Sequence, residues 1–265
     1  MTLFSSFRNL AAVVALGAVG AATQAATLPS FTIDPSAIPG VSSPSFTANN
    51  LIVSDYSTVT FNGNGTFSDA GFLSVQSAQT ATNPGFTPSG LNSDYGVYIQ
   101  FSGSGLSPVA DPTTSVTFAS FQTLNYTIYG YAGTASFDFS GTTATTTATN
   151  AIALATGSLI SGSAVTIPNG DGTFTPSGSA KLTVSLTSAG EAFFTSPNTF
   201  YNLASTAFSN TSSQVETFSN GFMIRQGGGS VNFASAVPEP GTYALLMAGV
   251  GVIGFVARRK SPTRR

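Results

Sequence analysis

The sequence contains no cysteine, no histidine and no tryptophan, and only 7% of its 265 residues are charged, against roughly 25% in an ordinary soluble domain. Without histidine and cysteine there can be no Ser-His-Asp triad, thiol nucleophile, structural zinc site or usual ligand of haem and iron–sulfur clusters. Three kinds of chemistry are left: a carboxylate pair, an oxygen-ligand site for Ca²⁺ or Mg²⁺, and a serine activated by Lys181 or Lys260. Without disulfides, the hydrophobic core must hold the fold by itself.

Charge is unevenly distributed as well as scarce. Residues 27–237 contain nine acids but only two cations, Lys181 and Arg225, for a net charge of −7, and the other six cations lie at the two ends. Two cations cannot neutralise a phosphate backbone, so no nucleic-acid partner is expected. The nine acids are spread singly, which favours solvated surface charges; a pair brought together by folding, as in glycosidases, is the alternative.

The N-terminus has the three parts of a secretory signal peptide. Arg8 precedes an apolar run over residues 10–22, and small residues follow as far as Ala26. About 13 apolar residues are too few to span a bilayer comfortably, which argues against a membrane anchor. We therefore predict a helical signal peptide over residues 1–26, with cleavage near Ala25 and Ala26.

The C-terminus predicts a short transmembrane helix. Residues 242–257 are 16 uncharged positions, and at ~1.5 Å per residue they span about 24 Å, slightly less than the ~30 Å hydrocarbon core. The basic cluster after them favours a cytoplasmic end by the positive-inside rule. Two prolines before the helix keep the preceding backbone extended and outside it.

The Pro-Glu-Pro triplet, the short Gly-containing apolar helix and the terminal basic cluster together resemble the PEP-CTERM sorting signal of Gram-negative bacteria. The resemblance implies that an exosortase, a membrane-embedded cysteine transpeptidase, recognises the triplet and releases the helix after a transient insertion in the inner membrane. The protein would then pass through the periplasm to the cell surface or extracellular matrix. A plain stop-transfer anchor is the alternative. The sorting signal would occupy residues 238–265, with the residues Pro238, Glu239, Pro240, Arg258, Arg259 and Lys260.

The body, residues 27–237, reads as one β-rich secreted domain. Apolar and polar residues alternate in many short segments rich in β-branched and aromatic residues, which is typical of strands. The predicted strand segments are residues 51–61, 66–67, 96–101, 115–118, 124–129, 135–139, 181–186, 222–225 and 230–233. Residues 62–65, 169–172 and 227–229 are Gly- and Asn-rich turn candidates between them. Many strands joined by short turns predict an antiparallel β-sandwich or jelly-roll-like module, with a short helix within residues 188–209. A parallel β-helix is disfavoured, because no fixed repeat period is present.

Two segments invite a more specific interpretation. Asn169 and Asp171 have the spacing of the first ligands of a Ca²⁺ loop, but an EF-hand needs an acid at the twelfth position, which is Ala180. A hairpin turn is therefore the preferred interpretation, and a Ca²⁺ site that folding creates elsewhere in the chain stays an alternative. Residues 140–151 are nearly all Thr and Ala, which favours a long exposed loop or strand over a linker or a target for O-linked sugar.

A narrower resemblance comes from residues 31–40, residues 46–52, Tyr56 and residues 193–201. These segments look like the flocculation-associated PEP-CTERM proteins, whose family is linked to cell aggregation within exopolysaccharide. The resemblance implies a non-enzymatic, exported matrix protein with exosortase as processing partner and exopolysaccharide or a cell-surface glycan as ligand. No catalytic residue, cofactor or metal ligand is assigned. The alternatives are a Ca²⁺-dependent lectin-like module and, less favoured, a carboxylate-pair glycosidase.

Overall fold

The computed structural model describes residues 28–107 and 112–235, and nearly all of their regular structure is β-strand. One short helix, α1 (Ser188–Phe193), and two 3-10 turns, Pro35–Ala37 and Ser212–Gln214, complete this part of the chain. The strands in chain order are β1 (Phe31–Ile33), β2 (Phe46–Ala48), β3 (Asn50–Phe61), β4 (Thr66–Gln79), β5 (Tyr95–Leu106), β6 (Thr117–Ala132), β7 (Phe137–Ser140), β8 (Thr143–Thr146), β9 (Ile152–Pro168), β10 (Phe174–Thr183), β11 (Ser185–Leu186), β12 (Phe194–Ser196), β13 (Leu203–Ser209), β14 (Val215–Phe218) and β15 (Gly221–Ala234).

Eight of these strands form a closed, up-and-down barrel. Strands β3, β4, β5, β6, β9, β10, β13 and β15 pair antiparallel in that order, so each strand lies beside its neighbour in sequence. The last strand returns to the first, with Gly221 opposite Thr60 and Val231 opposite Leu51. The short strands β11 and β14 add to β9 and β15 at the margins.

Closure is helped by β-bulges in five strand pairs of the barrel. A bulge bends a strand and increases its twist, which a sheet needs in order to close on itself. Along β3, buried Leu51, Val53 and Asp55 alternate with the partly exposed Ile52 and Ser54. One face of each strand therefore lines the interior of the barrel, and the other faces outward.

An aromatic plug, made of β1, β2, β12 and α1, closes one end of the barrel. Strand β1 pairs with both β2 and β12. The fully buried Phe233, near the end of β15, lies 5.1 Å from Phe31, 5.6 Å from Phe194 and 5.2 Å from Phe200, measured between ring centroids. Residues 31–33 and 194–196, which are distant in the sequence, thus meet on one barrel strand. Hairpin loops border the opposite mouth of the barrel.

The predicted mostly-β, antiparallel class is confirmed, and so is a short helix within residues 188–209. The finer expectation of a sandwich or jelly-roll differs from the observed pairing. Opposite walls face each other across a core, as two sandwich sheets would, but they belong to one continuous sheet. A jelly-roll would also pair strands distant in sequence, whereas neighbours here are sequential except at the closing seam.

The glycine run at residues 227–229 was expected to be a turn, and this expectation is wrong. It lies inside β15, a single strand that contains both residues 222–225 and residues 230–233, which were predicted as two separate strands. A Cβ atom at Gly229 would overlap the ring of Phe208, and one at Gly227 would overlap the Asn210 side chain. The run is therefore needed for close approach, because β13 and the residue after it place large side chains against this strand.

The predicted signal peptide and the predicted C-terminal helix, with Ala25, Ala26 and the sorting residues Pro238, Glu239, Pro240, Arg258, Arg259 and Lys260, lie outside the described residues. Within residues 28–107 and 112–235, no helix has the length and apolar character needed to cross a membrane.

Candidate functional site

The barrel encloses a cavity of about 120 Å³. Its lining is mainly apolar, with phenylalanines from several strands and small residues concentrated on β9, β10 and β13. Ala164, Gly178, Ala180 and Ala204 are the small residues, and they leave open the space that larger side chains would otherwise fill. The cavity therefore results from the choice of residues on one wall of the barrel.

Two acids, Asp55 on β3 and Asp69 on β4, line this cavity from the opposite wall. The two positions are four residues apart in the strand register, because Asp55 lies opposite Leu73 and Asp69 lies opposite Val59. Asp55 is only 5% exposed, and Asp69 is partly exposed as a residue although its Oδ1 atom is buried. The Oδ1 atoms of both acids have no hydrogen-bond partner among the described residues.

Burial changes the acidity of both carboxyl groups. Burial raises the pKa of Asp55 to about 7, and the nearby Ser57 hydroxyl offsets only part of that effect. The pKa of Asp69 is raised well above its usual value, chiefly by burial and secondarily by the charge of Asp55. Both groups therefore favour the protonated form at a pH where an exposed aspartate is fully ionised.

The prediction that the nine acids are solvated surface charges is wrong for these two residues. A signal was present in the strand alternation, since Asp55 has the same parity as Leu51 and Val53, and Asp69 has the parity of Phe67 and Leu73. The two acids lie on neighbouring strands of one wall rather than facing each other across a cleft. The face that carries the two acids becomes interior only because the sheet closes into a barrel.

Tyr126 is the one other titratable side chain that lines the cavity in the described part of the chain. Its hydroxyl donates a hydrogen bond to the carbonyl oxygen of Thr183 at 2.7 Å, and burial raises its pKa. Asn210, also on the lining, accepts a hydrogen bond from the backbone N–H of Gly228 at 3.1 Å. These polar groups have partners within the barrel, unlike the orphaned oxygens of Asp55 and Asp69.

The outside of β6, β9, β10 and β13 carries rows of serine side chains, which we call the hydroxyl face: Ser120, Ser161, Ser163, Ser179 and Ser205. Ser163 pairs laterally with both Ser120 and Ser179, and Lys181 lies between Ser161 and Ser205. Phe118 lies beside these rows and is 68% exposed, and together with Leu106 and Ser120 it borders a shallow depression. The face offers hydroxyls, one cation and an exposed aromatic ring.

A second outer region, across β3 to β5, is covered by the β7–β8 hairpin. Phe137 of the hairpin packs on Tyr56, Phe72 and Tyr98, with ring centroids 5.6 to 6.0 Å apart. Arg225 fastens the hairpin, because its guanidinium lies 4.7 Å from the Phe139 ring centre and pairs with Asp138 and Glu216. The Thr- and Ala-rich segment forms the turn and β8, as expected for an exposed strand.

The Ca²⁺-loop candidate at Asn169 and Asp171 is a hairpin turn between β9 and β10, as preferred from the sequence. The carboxylate of Asp171 accepts hydrogen bonds from the backbone N–H and hydroxyl of Thr173, which lower its pKa. Asn64 accepts the same pair of bonds from Thr66 in the β3–β4 turn. Within the described segments, no three acidic side chains come together in a metal-binding group.

Comparison with known proteins gives one match, to the end of the chain. Residues 236–260 match the family model of the PEP-CTERM protein-sorting motif. This confirms the sorting signal and implies an extracellular, cell-surface-sorted protein that is processed by an exosortase. The chain matches no curated protein and no solved structure. The match covers only the tail of the chain and assigns no activity to the barrel.

Processing predicts a defined mature chain. Intact-mass analysis of the protein recovered from the culture medium is expected to show loss of residues 1–26 and of the tail from residue 244 onward. The Glu239→Ala variant should instead stay in the cell envelope with its tail attached, because the triplet that the exosortase reads is broken. A secreted form that retains residues 244–265 would mean that the tail is only an anchor.

Proposed function

We propose that this protein is a non-enzymatic component of the extracellular matrix that binds exopolysaccharide or a cell-surface glycan and so promotes cell aggregation. The observation that carries the proposal is the hydroxyl face with its neighbour Phe118. Export, which the sorting motif implies, would give this face access to secreted polysaccharide.

The chemistry of the face suits a hydrated sugar polymer. Neighbouring strands lie roughly 5 Å apart, so Ser120, Ser163 and Ser179 form a lateral ladder of groups that both donate and accept hydrogen bonds. An exposed aromatic ring such as Phe118 offers an apolar surface on which the C–H face of a sugar ring can stack. The scarcity of charged residues fits recognition by hydroxyls rather than by ionic contacts.

The test is complementation of a gene-deletion strain of the producing bacterium. The deletion is expected to disperse aggregates while polysaccharide synthesis continues, and the wild-type gene is expected to restore them. The Phe118→Ser variant should bind the purified polysaccharide several-fold to about tenfold more weakly, because an aromatic contact contributes about 0.5–1.5 kcal/mol beyond its area. Affinity electrophoresis measures this change, and floc size measures its consequence.

Leu28→Ser is the matched control, because Leu28 is also an exposed apolar residue, 40% accessible, but lies in the segment before β1. It should aggregate cells as the wild type does. Normal flocs in the deletion strain would refute the proposal. Loss of polysaccharide binding in EDTA would favour the Ca²⁺-dependent lectin instead, and release of reducing sugars by the purified protein would favour the glycosidase.

A further inference from the structure

The orphaned oxygens inside the barrel require a partner that the described residues do not supply. Buried carboxyl groups in proteins are as a rule hydrogen-bonded, paired with a cation or bound to a metal. Asp55 Oδ1 and Asp69 Oδ1 are buried on one wall and have no such contact. Both carboxyl groups line a cavity that is otherwise mostly apolar.

No cation of the described chain pairs with Asp55 or Asp69. Arg225 lies on the outside of β15, where Asp138, Glu216 and the Phe139 ring hold its guanidinium. Lys181 is exposed on the hydroxyl face. The described residues that line the cavity include no lysine or arginine, and their remaining titratable group, the Tyr126 hydroxyl, is bonded to Thr183. A cationic ligand would supply the counter-group that the described residues lack.

The size and lining of the cavity restrict that ligand. Its volume of about 120 Å³ is of the same order as the ~150 Å³ cavity that holds benzene in an engineered protein. Opposite the acids, the wall of Ala164, Gly178, Ala180 and Ala204 leaves room for an apolar body. A Ca²⁺ ion would need six to eight oxygen ligands, which this wall does not offer.

We propose that the barrel interior binds a small organic monoamine, with its ammonium group on the carboxyl group of Asp55 and its apolar body against the alanine and phenylalanine walls. An ammonium group has three N–H donors, and one of them would satisfy the unbonded Oδ1 atom of Asp55. Its positive charge would also stabilise carboxylates that are otherwise held protonated by burial. Binding would thus satisfy a buried carboxyl group and fill the cavity together.

The test is calorimetric titration of the mature protein from the culture medium with benzylamine, benzyl alcohol and toluene. The three compounds share an apolar ring and differ in the polar group. Benzylamine is expected to bind at least about tenfold more tightly than the other two at pH 8, because hydrogen bonds to charged groups are stronger than neutral ones. Its affinity should fall between pH 8 and pH 5, as the carboxyl groups take up protons, and toluene should show no such change.

The Asp55→Asn variant is expected to lose the preference for benzylamine over benzyl alcohol, and Asp69→Asn to weaken it, because Asp69 contributes only a nearby charge. Asp171→Asn is the matched control, because Asp171 is an exposed acid in a loop at the barrel mouth, and this variant should keep the preference. If an interior variant does not fold, the analogue and pH series on the wild type still decide the question. Equal affinity for the three compounds, no binding of benzylamine at millimolar concentration, or displacement of benzylamine by equimolar Ca²⁺ would each overturn the proposal.

Discussion

At pH 8, the Asp55→Asn variant is expected to melt roughly 10 °C above the wild-type protein. Burial raises the pKa of Asp55 to about 7 in the folded state, whereas the unfolded chain has the ordinary value of 3.8. Above pH 7, the wild-type carboxyl group must therefore either ionise inside the barrel or hold a proton that the unfolded chain would release. A difference of about three pKa units corresponds to roughly 4 kcal/mol, and one kcal/mol shifts the melting temperature by about 2–4 °C in a domain of this size.

The direction of the pH dependence follows from the same pKa shift. The folded state binds more protons than the unfolded state between about pH 4 and pH 7, so wild-type stability falls as pH rises through this range. Asparagine has a similar shape and does not ionise, and the variant should lack this decline. The two proteins should therefore melt at similar temperatures at pH 4 and diverge up to pH 7. Thermal circular dichroism at pH 4, 6 and 8 measures the divergence.

Asp171→Asn is the control for this prediction. Asp171 is exposed, and its pKa is lowered by bonds from Thr173. Asn64 makes the corresponding bonds in the β3–β4 turn, so asparagine fits this loop geometry. No stabilisation at pH 8 is expected for this variant. If Asp55→Asn melts at or below the wild-type temperature at pH 8, the carboxyl group has a partner in solution that lowers its pKa, and the cavity is not an unpaired acidic site.

Local alternation in the sequence predicts many of the strands but not how they close. The predicted segments at residues 51–61 and 96–101 fall within β3 and β5, because period-two burial is a property of each strand alone. No strand was predicted for β9 or β13, which are both part of the barrel. The pairing of β15 with β3 joins residues as distant as Val231 and Leu51, and no local pattern determines such a contact.

For Asp55, too, the local pattern predicts which face of its strand the side chain lies on, but not what that face contacts. Parity along β3 places Asp55 on the same face as Leu51 and Val53, so the sequence could have marked it as an unusual inward acid. Whether that face meets another sheet, solvent or a cavity depends on small residues far along the chain, such as Ala164 and Gly178. The run of glycines at residues 227–229 was misread for a related reason, since its partners Phe208 and Asn210 follow from strand pairing rather than from turn chemistry.

Two of the segments that suggested the flocculation-associated resemblance, residues 31–40 and 193–201, meet in the plug. Residues 31–33 pair with residues 194–196, and the phenylalanines of both segments surround Phe233. Their aromatic residues are therefore explained by packing at the end of the barrel. The match of residues 236–260 supports sorting and export, and aggregation stays a proposal that rests on the hydroxyl face.

Phe233→Ala is expected to destabilise the protein by about 3–5 kcal/mol, the usual cost of removing a fully buried phenylalanine. The loss combines buried area with three edge-to-face contacts, to Phe31, Phe194 and Phe200. Phe118→Ala is the matched control, since Phe118 is 68% exposed and its truncation should change stability by less than about 0.5 kcal/mol. Urea unfolding measures both, and hydrogen exchange should show the β1–β12 pairing opening first in Phe233→Ala. Equal stability of the two variants would mean that the plug packs weakly and that β1 and β12 do not depend on the barrel for their structure.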